Sequence, residues 1–566
     1  MSTENGSDGS QLRREVRRID LIMIALGSIV GVGWLFATGR AANMAGPASL
    51  ISWVIGGIAA LSIALVYAEL GSLLPEAGAT VRYPHFSHGS LAGFSIGWAQ
   101  WVSFAATPAA ESREVINFLT PHWNWMNSHK THEALFAIPL ILVFVAINAF
   151  AVKIFARVTT MATIVKLILP PVTIVAILAV ATHWHNLTVH GFAPTGVSGI
   201  FKATSAAGVV FAYLGFREPV EMAGEAKNPR HDIPFALITA IFSAMALYIL
   251  LQLAFLVAIP PSAIHHGWSS ISYDSPVASA AKLAGLIWLG GLLTAESIFS
   301  PAVTGNIYVG TSTRVLYALG KNRYLPPHVA RVHPRTAIPF VALAVSSIMA
   351  VLYLSLGSLI GVITAATVLT YISGPVSAAV IRRRTDRADR AFHLPGFHIL
   401  GPFAFVAGTL LIYWNGFASN WKALLLVLFG LAFYVVTSNF IWPHYANPPS
   451  PRHIKSGLWL VAYYIVMLAM SAIGSGQFGS PLNHHKGLIG FPFDTVLVAA
   501  IALAFYRWGV ASGLPDWEER PQREERLKGE ELSETFVIHR VETEEEEEME
   551  EDLAEIDAEL TGTEAE

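Results

Sequence analysis

The chain has 566 residues, of which 53% are hydrophobic and only 13% charged. Soluble domains average about 25% charged residues, so this composition excludes a soluble globular enzyme and describes a polytopic membrane protein. The net charge of −4 is misleading, because more than half of all Asp and Glu follow Leu514 and the hydrophobic body is net basic; with no cysteine, disulfides and Cys-ligated metals are excluded.

The polar head MSTENGSDGSQLRREVRRID leads into a hydrophobic stretch too long for a signal peptide, so a retained first helix is expected. That stretch, Leu21 to Pro47, is long enough to cross a bilayer core of about 30 Å. Its middle nevertheless holds Gly27, Gly31 and Gly33. An opened helix leaves bare amides, which hydrocarbon tolerates only where the backbone is buried in protein or lines a polar cavity. If the helix restarts near Trp34, the amides of Val32, Gly33 and Trp34 form a positive N-terminus suited to a carboxylate. The alternative is close helix packing through small residues.

Further spans are predicted near 48–75, 90–119, 134–152, 157–181, 199–226, 233–259, 284–319, 338–356, 358–381, 398–418, 422–442, 457–474 and 488–510, fourteen with the first. An even count puts both termini on one side. Arg13, Arg14, Arg17, Arg18, Arg230, Arg331 and Arg382 to Arg384 fall on that side, and the opposite loops carry few basic residues, so cytoplasmic termini are expected. The outer loops are instead rich in histidine, among them His122, His129, His183, His185, His265 and His266. HWH and HH spacings allow a metal reading, but solvated loop histidines are the preferred one, and no metal site is assigned.

Three spans carry charges at membrane depth, where ionisable groups are costly. On the third, Glu111, Arg113 and Glu114 lie toward the outer half, with Glu111 and Glu114 on one face. A selectivity or gating role for Glu111 and Arg113 stands beside a structural ion pair with another helix. On the fifth, Lys166 sits near the middle in ARVTTMATIVKLILPPV, beyond snorkelling reach of water and with no acidic residue on its own helix. Its proton could be released and regained within a cycle; the alternative is a salt bridge to a carboxylate, for which Glu296 is a candidate.

The sixth span, GIFKATSAAGVVFAYLGFREPVEMAGEAKNP, is broken by Gly215, Arg217, Glu218 and Pro219. Broken helices in equivalent positions of two five-helix halves point to an inverted-repeat transporter with its site at the repeat interface. Span 1 then offers an amide-rich N-terminus and span 6 offers carbonyls around Phe211, Ala212 and Tyr213. An anion and a cation together match the two α-groups of a free amino acid. Trp34, Phe211, Tyr213 and Phe216 could cover such a ligand, with packing as the alternative.

The segments IALGSIVGVGWLF, YAELGSLLPEAGATVRYP, FAYLGFREPVEMAGEAKNPRHDIP and RVLYALGKNRYLPPHVARVHPRTAIP resemble the amino acid–polyamine–organocation superfamily of amino acid permeases over about residues 17–445. The resemblance implies an all-α, LeuT-type 5+5 inverted repeat with additional C-terminal helices, 12 to 14 in all with 14 favoured. It implies secondary active transport by alternating access, with Gly31, Val32 and Gly33 holding the substrate carboxylate and carbonyls of Phe211, Ala212 and Leu214 holding the amino group. It also implies proton coupling through Lys166, protons being the coupling ion and no other cofactor being called for. Two departures stand out: two more helices than many members have, and Arg217 in a segment that many relatives keep uncharged; a selectivity or gating role is considered for Arg217 and Glu218 as for Glu111 and Arg113. The EP pair and EMAGEAKNP look more like an acidic-amino-acid or aspartate/proton subgroup. Exchange, or a nutrient receptor of transporter ancestry, are the alternatives, and no nucleic-acid partner is indicated. The organisation expected is a cytoplasmic segment 1–18, a transporter core 19–445, an extra helix pair 446–514 and an acidic cytoplasmic tail 515–566 without stable structure, in the cell membrane.

Overall fold

The computed structural model describes residues 12–516 apart from 32, 121–124, 126–129, 151, 274, 356–359, 388, 389 and 443–447. Met1–Asp516 is one compact unit; the other, Trp517–Glu566, lies outside the described residues, and with it nearly all of the acidic tail. His122, His129 and Val32, singled out above, lie outside them as well.

Helices occupy each predicted stretch. The first is split into α1 (Arg18–Ile29) and α2 (Gly33–Ala45), and α3 (Ser49–Leu73) follows. A short helix that the sequence did not announce, α4 (Ala79–His88), precedes α5 (Ser90–Leu119) and α6 (Lys130–Asn148). The fifth stretch is also split, into α7 (Val152–Lys166) and α8 (Leu169–Val180), since Pro170 and Pro171 bring no amide donors to the turn after Lys166. The sixth falls into three pieces, α9 (Gly196–Ala206), α10 (Val209–Tyr213) and α11 (Glu218–Glu221). Then come α12 (Pro229–Ala258), α13 (Pro276–Leu283), α14 (Ile287–Lys321) and α15 (Phe340–Tyr353). The last are α16 (Ile360–Tyr371), α17 (Ser373–Arg382), α18 (Phe397–Trp414), α19 (Phe417–Val436), α20 (Pro451–Ile473) and α21 (Phe493–Ser512). Among the described residues, eight helical segments are long and apolar enough, by length and composition, to cross a membrane. Among the described residues there is no strand, only two isolated bridges.

Those bridges close one end of the molecule. Val16 pairs with Ala226, its amide donating to Glu225 O (2.9 Å) and its carbonyl accepting from Lys227 N (2.9 Å). Ala77 pairs with Met222, and Gly78 N donates to Glu221 O at 2.9 Å. The N-terminal segment and the α3–α4 turn are thus stitched to the end of the sixth stretch. Ion pairs reinforce this end: Arg18 with Asp232 (2.6 Å), Arg382 with Glu69 (2.6 Å) and Arg314 with Glu225, a fork of 2.6 and 2.8 Å.

The last pair is buried on both sides, so Glu225→Ala would strand the Arg314 charge without its counterion. A loss of about 3–5 kcal/mol is expected, visible as a lower unfolding midpoint of the purified protein. An unchanged midpoint would show that the pair adds no net stability.

The opposite end holds a cavity of about 570 Å³ between the ends of α2 and α5 and the segment before α13. Phe36, Arg40, Asn43, Glu114 and Tyr273 are among its walls. Here the loop histidines pack rather than cluster: His190 bonds the Ile264 carbonyl (2.6 Å), and His265 stacks edge-on with His266, centroids 4.9 Å apart.

Candidate functional site

The two predicted breaks lie against each other. α1 ends where Val30 leaves helical geometry (φ −83°, ψ 62°), and α2 begins at Gly33. In the sixth stretch Leu214 is extended (φ −62°, ψ 156°) and Gly215 takes φ +99°, a region that favours glycine. Gly215 also needs to be small, since a Cβ there would come within 2.8 Å of the Ser28 backbone on α1. Likewise a Cβ on Gly33 would lie 2.9 Å from Ala212 Cα and 3.2 Å from Phe211 Cδ1. The α2 N-terminus therefore abuts the carbonyl-bearing end of α10. A residue that the sequence reading missed ties the breaks together: the Tyr248 hydroxyl on α12 lies 2.8 Å from Ile29 O and 3.0 Å from Ala212 O.

Lys166, the last residue of α7, is fully buried beside the first break. Its ammonium donates to Gly27 O at 2.6 Å, Thr304 Oγ1 at 3.1 Å and Ser300 O at 3.3 Å, all neutral oxygens. Glu296 and Glu111 act on it electrostatically. α14 completes the surround, Ser300 Oγ donating to Val30 O (2.9 Å) and Thr304 Oγ1 to Gly27 O (2.9 Å). Glu111 reaches the same place from α5, for a Cβ on Gly31 would lie 3.0 Å from Thr304 Oγ1 and 3.2 Å from Glu111 Oε1. The structure thus sets Gly33 against Phe211 and Ala212, and Gly31 against Thr304 and Glu111, while Lys166 is held one turn earlier at Gly27 O and Trp34 is fully buried.

Other expected residues point elsewhere. Arg113 pairs with Glu133 on α6 and donates to Leu354 O (2.8 Å), the structural alternative, which spends its charge on holding helices together. The Tyr213 ring does not cover the break; its hydroxyl donates to Trp53 O (3.0 Å) on α3. Phe211 packs on Phe36, centroids 6.1 Å apart, and Phe36 lines the cavity with Arg40 4.4 Å above its ring. Two rings therefore stand between cavity and breaks. Arg217 and Glu218 are fully buried on the other side of the second break. Ser300, Thr304 and Tyr248 escaped sequence reasoning because one hydroxyl in an apolar helix is commonplace, and only partners from other helices distinguish it.

Amides at one break, carbonyls at the other and a lysine between helices can bind a zwitterion and exchange a proton; no nucleophile with a base is among them. The chain is similar to known proteins over most of its length. The model of the family described as amino acid permease matches residues 20–381. Among the curated proteins of Bacillus subtilis (strain 168), the glutamate/serine transporter AimA is 38% identical over 89% of this chain and 95% of its own. The aspartate-proton symporter is 35% identical over 90% of this chain and 98% of its own, and the branched-chain amino acid permease BcaP 28% identical over 76% and 94%.

Proposed function

Since the chain belongs to the amino acid permease family, we propose that it takes up an amino acid across the cell membrane by proton symport with alternating access. The observation that carries this reading is the abutment of the two breaks beside a buried lysine bonded to Gly27 O. The amides opening α2 are the carboxylate subsite, and the carbonyls of Phe211, Ala212 and Leu214 the ammonium subsite. Support for proton coupling comes from the aspartate-proton symporter's name and from the position of Lys166. Protonated, Lys166 ties α7 to α1 and α14; deprotonated, it offers one donor fewer, and α1 is freer to move. The stitched N-terminal end and the cavity at the other end correspond to a state closed on one side, the Phe36–Phe211 pair being the thin barrier that substrate must pass.

Uptake of labelled amino acids into proteoliposomes, with and without an inward proton gradient, tests the proposal. Accumulation against the substrate gradient is expected. Binding without flux would identify a receptor, and equilibration without accumulation a channel or facilitator.

The stitched end is assigned to the cytoplasm, because the basic residues concentrate there. Single cysteines placed near Arg230, Arg331 and Arg383 should resist an impermeant thiol reagent added to intact cells, whereas one near Lys486 should react. The reverse pattern would invert the topology. The acidic tail adds no span to the transport path, so truncation after Asp516 is expected to leave initial uptake rates unchanged at matched insertion. A folded truncate without uptake would make the tail a regulator.

A further inference from the structure

Resting on the reading of this site as an amino acid transport site, we propose that Arg217, with Gln100 and Tyr371, receives a second carboxylate, that of the substrate side chain, so that the substrate class is the acidic amino acids. The α-carboxylate and α-ammonium are matched by the two breaks. Neither break uses the buried cation two residues past Gly215.

Arg217 is 1% exposed. Among the described residues its hydrogen bonds go to neutral groups on three other helices: Tyr67 Oη on α3 (3.2 Å), Gln100 Oε1 on α5 and Thr370 Oγ1 on α16 (2.7 Å). Its guanidinium lies 4.3 Å from the centre of the Tyr371 ring and 5.1 Å from that of Tyr67. Glu221 and Glu218, both buried, act on it through space, but neither hydrogen-bonds it among the described residues, and Glu221 accepts from Thr80 on α4. A buried guanidinium whose hydrogen bonds go only to neutral groups is an incomplete arrangement, because its planar fork suits a directly paired carboxylate.

An independent observation points the same way. Gln100 Nε2 and Tyr371 Oη are buried and have no hydrogen-bond partner among the described residues. Buried donors left unmade are costly, so each asks for an acceptor. Gln100 Nε2 belongs to the same amide whose oxygen binds Arg217, and the Tyr371 ring stands against the guanidinium while packing on Phe216 of the second break, centroids 5.2 Å apart. A cation and two donors need an acceptor with a negative charge. An ionised carboxylate, acceptor on both oxygens, satisfies all three, whereas a carboxamide would turn an NH₂ toward a guanidinium.

The test is equilibrium binding to the purified full-length protein of L-glutamate and L-aspartate against their isosteres L-glutamine and L-asparagine. Wild type should prefer the acids by about a hundredfold or more, as sites built for one polar group reject its analogue. Arg217→Gln should abolish that preference. Tyr371→Phe keeps the ring and removes only the hydroxyl, so acid affinity should fall about three- to tenfold with amide affinity unmoved; this variant decides the matter if Arg217→Gln does not fold. Equal wild-type affinity for acids and amides, or variants that lower both alike, would overturn the carboxylate pocket and leave the transport reading standing. A wild type that binds no amino acid of a wider panel would overturn both.

Discussion

Lys166→Ala is expected to lose substrate accumulation driven by an acidic exterior while keeping counterflow between equal pools of substrate. Protonation favours the form in which Lys166 joins α7 to Gly27 O and Thr304, so external protons load the bridge and an alkaline interior unloads it. Without the side chain, an inward proton gradient has nothing to act on at this point, and uptake should fall to simple equilibration. The fold should survive, because Gly27 O, the nearest acceptor, keeps a donor in the Thr304 hydroxyl at 2.9 Å. A structural salt bridge predicts the reverse, since removing one partner of a buried ion pair costs about 3–5 kcal/mol and damages folding before coupling. Uptake at fixed internal and varied external pH, at matched protein incorporation, separates the two. Undiminished pH-driven accumulation in the variant would remove Lys166 from the coupling step.

Gly33→Leu is expected to abolish binding without expelling the protein from the membrane. The missing Cβ of Gly33 faces Ala212, with only 2.9 Å to its Cα. A branched side chain must push α2 and α10 apart and separate the amide subsite from the carbonyl subsite. Misplacement by about 1 Å can cost on the order of a hundredfold in a positioned site. Gly33→Ala should show a milder loss in the same direction. The hydrophobic character of the stretch is unchanged, so insertion and the gel-filtration profile should match wild type. Wild-type affinity in the purified leucine variant would show that the breaks are packing features.

The two breaks were legible because each violates a rule that hydrocarbon enforces. Glycines at 31 and 33, and Gly215 followed by a charged pair and a proline, leave backbone that only protein surroundings can satisfy. Lys166 was legible for the same reason, as a charge with no route to water. The end of α7 directly after Lys166 could have been read from Pro170 and Pro171, and the extra turn at Gly208, with φ +93°, from its glycine; both were passed over inside uniformly apolar runs. Partnerships were the part that sequence could not supply. Nothing local distinguishes Arg113, which pairs with Glu133, from Arg217, whose hydrogen bonds go to neutral groups, because the difference lies in which helices pack beside them. Tyr248 is likewise one tyrosine in a long apolar helix until its hydroxyl is seen between Ile29 O and Ala212 O.

Proton and amino acid are expected to move together. Proteoliposomes loaded with a pH-sensitive dye, with no imposed proton gradient, test it directly when amino acid is added outside. The lumen is expected to acidify as substrate enters, and Lys166→Ala to abolish the acidification without abolishing counterflow. Substrate entry with no change in luminal pH would contradict it.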